Sequence, residues 1–202
     1  MVTLLHTTES HCATFNELRD RISPDTELVH IVRPDFLTRA QSRVDRALSR
    51  DIAQVVQKAT GTVLCTCTTI GMAANNAGAI RIDLPMMQAA ARVGGPVLLT
   101  CCLESTRAQS RQLLQAEMSA VGTEGPVHEL FLGEFWPLFE AGQTEAFHAV
   151  IASAVRAHLA ESPDVSAIVL AQASMAGAEA MLKDVAVPVL SSPELALRAA
   201  IG

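Results

Sequence analysis

The chain has no tyrosine, one tryptophan and six phenylalanines, so aromatic residues make up only 3% of its 202 positions. A nucleic-acid surface needs stacking faces or a groove of clustered Lys and Arg. Neither is present: the formal charge is −6 and the basic residues form no cluster. That sign of charge also gives no reason to expect a role at a membrane surface. No apolar run approaches the ~20 residues of a spanning helix. The first residues lack a basic segment followed by an apolar core and a small-residue cleavage site. The expected location is therefore the cytoplasm. Cysteine is scarce and odd in number, at five. The spacings Cys65/Cys67 and Cys101/Cys102 suit no ordinary structural disulfide framework, and neither they nor His11-Cys12 supply the CxxC pairs of a zinc site. Free thiols, with no metal and no cofactor, are the expectation.

What the chain has instead is aliphatic surface, with half of its residues hydrophobic. Short apolar runs alternate with segments of helical period. Strands are predicted at Leu4–His6, Leu28–Val32, Thr62–Cys67, Ile80–Ile82, Val97–Thr100, His128–Leu132, Ala167–Ala171 and Val187–Leu190. Helices are predicted at Thr14–Ile22, Leu37–Lys58, Pro85–Arg92, Thr106–Val121, Gln143–Leu159, Met175–Leu182 and Pro193–Ile201. The first ends at Ser23-Pro24, where proline cannot continue it. Gly71 to Gly78 (GMAANNAG) reads as a small-residue connection, and Trp136-Pro137 as part of a loop. Two successive βαβαβαβα patterns imply mostly parallel sheets covered by helices.

The two halves also echo each other in residues. IDLPMMQAAAR at Ile82–Arg92 resembles LSSPELALRAA at Leu190–Ala200, and LLHTTES at Leu4–Ser10 stands beside LLTCCLES at Leu98–Ser105. The pattern suggests an internal duplication. It divides the chain at Gly94-Gly95-Pro96 into residues 1–95, completed by the C-terminal helix 193–202, and residues 96–192. The stretch TVLCTCTTIG at Thr62–Gly71 runs from a buried strand into a polar turn, which is where an α/β sheet places its chemistry. The corresponding end in the second half is IVLAQASMAG, at Ile168–Gly177. Thus Cys67 and Gln172 occupy matching places.

These motifs resemble the aspartate/glutamate racemase superfamily, which includes hydantoin racemases, maleate isomerases and arylmalonate decarboxylases. The resemblance covers nearly the whole chain. It implies two pseudo-symmetric Rossmann-like (flavodoxin-like) α/β halves, each a four-stranded mostly parallel sheet flanked by helices, with the active site in the cleft between them. Cys67-Thr68-Thr69 matches the family's Cys-Asn-Thr motif, with Thr68 replacing Asn, and makes Cys67 the candidate catalytic thiol. Cys65, two residues earlier within the strand, reads as core.

Gln172 stands where the family has its second cysteine. Two-base racemisation removes an α-proton with one thiolate and returns a proton from the other face, and an uncharged amide can do neither. A single thiol can still protonate one face of an enediolate, add to an activated double bond, or act beside a different base. The resemblance therefore implies a cofactor-independent isomerase or racemase-type enzyme for a small carboxylate. A decarboxylase of the arylmalonate type and a non-catalytic small-anion-binding protein are the alternatives. Thr68, Thr69, Gln172, Ser174, Thr106 and His6 are the candidate substrate-binding residues. A Ser or Thr at a helix start is also an ordinary N-cap, and Asp83 and Ser192 read as caps of the helices that follow them. No nucleic-acid or membrane partner is expected, and self-association is left open.

Overall fold

In a computed structural model that describes residues 1–40, 42–162 and 164–202, the chain forms two parallel four-stranded sheets flanked by helices. Gln41, inside the predicted helix Leu37–Lys58, lies outside the described residues. Contacts divide the chain into two compact units, Met1–Pro85 with Pro193–Gly202, and Met86–Ser192.

The first unit runs β1 (Val2–His6), α1 (Ser10–Ile22), β2 (Leu28–Val32), α2 (Pro34–Ala40), α3 (Arg46–Lys58), β3 (Thr62–Cys65), α4 (Thr68–Asn76) and β4 (Ile80–Arg81). Its strand order is β2-β1-β3-β4, all parallel. Every residue of β1 is buried, as expected of a central parallel strand covered on both faces. On α3, Leu48, Ile52 and Val56 recur four apart and bury one face. They pack with Leu5, Phe36, Cys65 and Ile70 into one core.

Two sequence expectations change here. The predicted helix Leu37–Lys58 is two helices. Asp45 has an extended backbone and its carboxylate accepts from the Leu48 N–H at 2.8 Å, so it caps a new helix rather than continuing the old one. The stretch GMAANNAG is not an open connection, because α4 runs through it from Thr68 to Asn76. Gly71 is buried in this helix against the Arg81 side chain: a Cβ there would lie 3.4 Å from Arg81 Nε. The small residue trades helix propensity for close packing on a strand. The helix closes at Ala77, followed by Gly78 at φ +102°.

The second unit holds β5 (Val97–Cys101), α6 (Glu104–Val121), β6 (Val127–Phe131), α7 (Trp136–Glu140), α8 (Thr144–Glu161), β7 (Ala167–Leu170), α9 (Gly177–Met181) and β8 (Val189–Ser191). Its order, β6-β5-β7-β8, repeats that of the first sheet and is again all parallel. Its core gathers Leu98, Phe147, Ile151, Val155, Ile168, Leu170 and Met175. The predicted loop at Trp136-Pro137 contains α7, with proline in the first turn, where its missing N–H costs nothing. Trp136 and Phe139 stack near Phe147, with ring centroids 4.9 Å apart for the first pair.

The helices after the fourth strands are α5 (Leu84–Val93) and α10 (Ser192–Ile201). The chain passes from the first unit to the second at Pro85–Met86, within α5, and returns at Ser192–Pro193. Met86, Met87, Ala90 and Ala91 are the buried face of α5. Gly94 and Gly95, both at positive φ, make the turn from that helix into β5. The predicted break at Gly94-Gly95-Pro96 is thus a tight turn after the crossing. No helix among the described residues is long and apolar enough to cross a membrane.

Candidate active site

In each sheet the chain leaves the first strand toward one edge and returns to place the third strand on its other side. That reversal is a topological switch point, where the carboxyl ends of adjacent parallel strands leave a crevice for ligands. In the first unit it lies between the ends of β1 and β3, at His6 and Thr66-Cys67. In the second it lies between β5 and β7, at Cys101-Cys102 and Ala171-Gln172.

Strand register makes Cys67 and Gln172 equivalent. Val2 pairs with Thr62 in one sheet and Val97 with Ala167 in the other, and Cys67 and Gln172 each lie five residues past that partner. Thr66 and Ala171 donate matching backbone hydrogen bonds, to Leu5 and Thr100. Cys67 is then the extended N-cap of α4, and Gln172 the extended N-cap of the 3-10 turn Ala173–Met175. The same register aligns Leu4 with Leu99, so the motif pairing LLHTTES with LLTCCLES is displaced by one residue.

Cys67 is half-buried and α4 begins without a side-chain cap. Unsatisfied N–H groups at such a helix start favour negative charge beside them. Thr68 and Thr69 form the first turn of α4. The other thiols differ. Cys65 is fully buried, which pushes its thiol up in pKa, and its Sγ contacts the Cys67 carbonyl at 3.6 Å. Burial pushes Cys101 up to about 11 and Cys102 up to about 12. Near Cys65 in the first unit, Arg81 and Asp83 form a buried bidentate ion pair at 2.8 and 2.7 Å. Both Asp83 oxygens are committed to Arg81, so the predicted capping role passes to an ion pair at the end of β4.

His6 is fully buried, and both its ring nitrogens are engaged. Nδ1 lies 2.8 Å from Thr66 Oγ1, and Nε2 lies 2.9 Å from His30 Nδ1. Burial, with His11 and His30 nearby, lowers its pKa to about 3. At neutral pH it is an uncharged tie between β1 and β3, not a cation offered to an anion. Burial also lowers His11 and, together with Arg19, His30. Cys12 Sγ, His6 and His30 place their ligand atoms within 4.8 Å of one another, the one group among the described residues with the donor set for a metal ion.

In the second unit, Gln172 Oε1 accepts from the Cys102 N–H at 2.5 Å and the Leu103 N–H at 3.1 Å. Leu103 is the N-cap of α6 and has no side-chain oxygen; the amide instead holds the two N–H groups that lead into the helix. Thr106 is buried and its hydroxyl donates to the Leu103 carbonyl at 2.9 Å, within the first turn of α6. Ser174 sits in the 3-10 turn, and its carbonyl accepts from His148 Nε2 at 2.9 Å. The first unit thus groups His6, Cys67, Thr68 and Thr69, and the second groups Gln172, Ser174 and Thr106. Sequence reasoning missed Thr66, His30 and the backbone donors of Cys102 and Leu103. Thr66 lay in the stretch Thr62–Gly71 and Cys102 and Leu103 in Leu98–Ser105, both already singled out, while His30 lay in a predicted strand with no role.

Neither a scan of protein-family models nor a search of curated protein sequences gives a match. Solved structures do. Aspartate racemase from Picrophilus torridus superposes with a TM-score of 0.65 at 14% identity, over 100% of this chain and 92% of that one. Glutamate racemase from Francisella tularensis, in complex with D-glutamate, gives 0.68 at 11% identity over 98% and 78%. Arylmalonate decarboxylase gives 0.61 at 14% identity over 99% and 90%. Matching sheets, repeated strand order and near-complete coverage give this chain the fold shared by the aspartate and glutamate racemases and arylmalonate decarboxylase.

Proposed function

We propose that this chain is a cofactor-independent isomerase-type enzyme acting on a small carboxylate through Cys67. The observation that carries the reading is the equivalence of Cys67 and Gln172: one switch point ends in a half-exposed thiol at an uncapped helix start, and the matching one ends in an amide. The thiol is the only one of the pair able to exchange a proton. The start of α4, with the hydroxyls of Thr68 and Thr69, supplies donors for a carboxylate.

The chemistry follows from one thiol. As a thiolate, Cys67 takes the α-proton of the bound acid and becomes the thiol, leaving an enediolate. As a thiol, it returns a proton to the same face and exchanges the α-proton; inversion takes place when water protonates the opposite face of the enediolate and the Cys67 thiol then loses its proton to solvent. Gln172 can orient a carboxylate or carbonyl by hydrogen bonding but returns no proton. That amide favours a second reading, in which carbon dioxide leaves a malonate-type substrate and Cys67 protonates the resulting enediolate on one face. Solvent then reprotonates the thiolate.

The test is a panel of amino acids, hydantoins, unsaturated diacids and substituted malonates incubated in D2O and followed by proton NMR. The expected result is deuterium incorporation or carbon dioxide loss with one class, abolished in Cys67→Ser while the circular dichroism spectrum is retained. Iodoacetamide should label Cys67 ahead of Cys65, Cys101 and Cys102, and a carboxylate substrate should protect it. Undiminished turnover in Cys67→Ser removes the proposed role, and equal labelling of all five thiols argues for the non-catalytic alternative.

A further inference from the structure

The largest group of metal-capable side chains outside the proposed chemistry lies where α1, β1 and β2 meet in the first unit. His6 closes β1, His30 lies on β2 and Cys12 lies in the first turn of α1. The two imidazoles stack at 5.1 Å between centroids with 17° between planes, and His6 Nε2 faces His30 Nδ1 at 2.9 Å.

One placement of the ring protons satisfies the outer partners of both rings. Thr66 Oγ1 donates its single proton to the Leu5 carbonyl at 3.2 Å, so toward His6 it is an acceptor, and His6 donates to it from Nδ1–H. Asn16 Oδ1 is an acceptor only, so His30 donates to it from Nε2–H at 3.1 Å. Both N–H groups are then spent outward. In this placement two ring lone pairs face each other at 2.9 Å, an arrangement that a metal ion between them relieves. It is also the outer-shell pattern that orients imidazole ligands toward a metal.

We propose that His6 Nε2, His30 Nδ1 and Cys12 Sγ form a binding site for one borderline-soft transition-metal ion of the Zn2+ class, with water or a fourth side chain completing a tetrahedron. Tetrahedral zinc with ordinary bond lengths sets its nitrogen ligands about 3.3 Å apart and a nitrogen and a sulfur about 3.5 Å apart. The three donor atoms already lie within 4.8 Å of one another. The nitrogens need to part by a few tenths of an ångström, and the half-buried Cys12 supplies the sulfur. His11, edge-on to His6 at 6.1 Å and with its buried Nδ1 unpartnered, is a further donor in the same cluster. Both imidazoles bind through lone pairs they already expose, while Cys12 loses its proton to solvent, so binding releases about one proton per ion. The ion would pin α1 and β2 to the end of β1, which Thr66 links to the segment carrying Cys67.

The experiment titrates the metal-free full chain with Zn2+ and, for spectroscopy, Co2+. One equivalent should bind, with about one proton released, and bound Co2+ should show tetrahedral visible absorption and a thiolate charge-transfer band. Cys12→Ser should abolish that band and weaken binding about tenfold or more, and His30→Ala should weaken it similarly. Asn16→Leu, which touches no ligand atom, should weaken binding about tenfold through His30. Cys67→Ser should leave band and affinity unchanged, which separates this site from the proposed active-site thiol. Failure to bind one equivalent overturns the proposal. So does a charge-transfer band that survives Cys12→Ser or is lost in Cys67→Ser.

Discussion

Gln172→Met tests whether the amide that replaces the second thiol holds the structure around it. Methionine keeps the length and unbranched shape of the side chain and removes the strong acceptor. Two donors are then stranded, the N–H of the buried Cys102 and that of the half-buried Leu103. A buried donor left unpaired costs about 1–3 kcal/mol, and one that water can reach costs less. The sum is about 2–3 kcal/mol. For a chain of this size each kcal/mol moves the melting temperature by about 2–4 °C, so a loss of roughly 4–12 °C is expected. Thermal and urea unfolding by circular dichroism measure the total, and amide hydrogen exchange locates it: protection should fall at Cys102, Leu103 and the first turn of α6. Gln172→Glu, whose carboxylate accepts from both groups at a helix start, should stay near wild type. Wild-type stability and exchange in Gln172→Met would refute the capping role.

Three further perturbations probe the frame around the site. Arg81→Met strands the Asp83 carboxylate in the buried pair at the end of β4 and should cost about 3–5 kcal/mol in urea unfolding, most of it recovered in Arg81→Met/Asp83→Leu. Asp45→Ala removes the cap of α3 and should cost about 1 kcal/mol, with exchange rising at Leu48. The buried thiols set an alkaline limit. Cys101 and Cys102 keep their protons in the folded state to about 11 and about 12, while the unfolded chain releases them through 9.0. Above that pH the unfolded state binds fewer protons, so stability falls as pH rises, by about 1.4 kcal/mol per thiol at pH 10, and is unaffected by these groups below about pH 8. Cys102→Ala should flatten the alkaline limb of a stability–pH profile.

The sheets were legible because the central strands are short aliphatic runs buried on both faces, and the half-buried edge strand Leu28–Val32 reads identically in sequence and structure. Helix breaks were harder. Asp45 carries the signal of a new N-cap, but the apolar period on either side masks it. In α4 the run of glycine, alanine and asparagine resembles a linker because its helix depends on packing Gly71 against Arg81. The strand-end position of Cys67 could be read from the third strand and the repeat. The bond of Gln172 could not, since its partners are backbone N–H groups about 70 residues away in the chain, which have no side-chain signature. Likewise His6, Cys12 and His30 meet only through strand pairing and helix docking, and no spacing of the metal-motif type announces them.

The two units close their switch points by different means. In the first, His6 and Thr66 tie β1 to β3 with side chains, and the start of α4 is left without a cap beside Cys67. In the second, a side chain from the end of β7 reaches back to the start of α6 and takes its donors. A carboxylate arriving at α4 meets free N–H groups and a thiol. In the second unit the N–H groups of Cys102 and Leu103, just before the first turn of α6, are already taken by Gln172. The two equivalent strand ends differ at this residue, one carrying a half-buried thiol and the other an amide bonded to backbone. Restoring a thiol with Gln172→Cys therefore changes two properties at once: it supplies a second acid–base group and uncaps α6. A gain of racemisation in that variant would have to outweigh the loss of order at the very loop that holds the new thiol, so Gln172→Glu, which keeps the cap, is the proper reference for it.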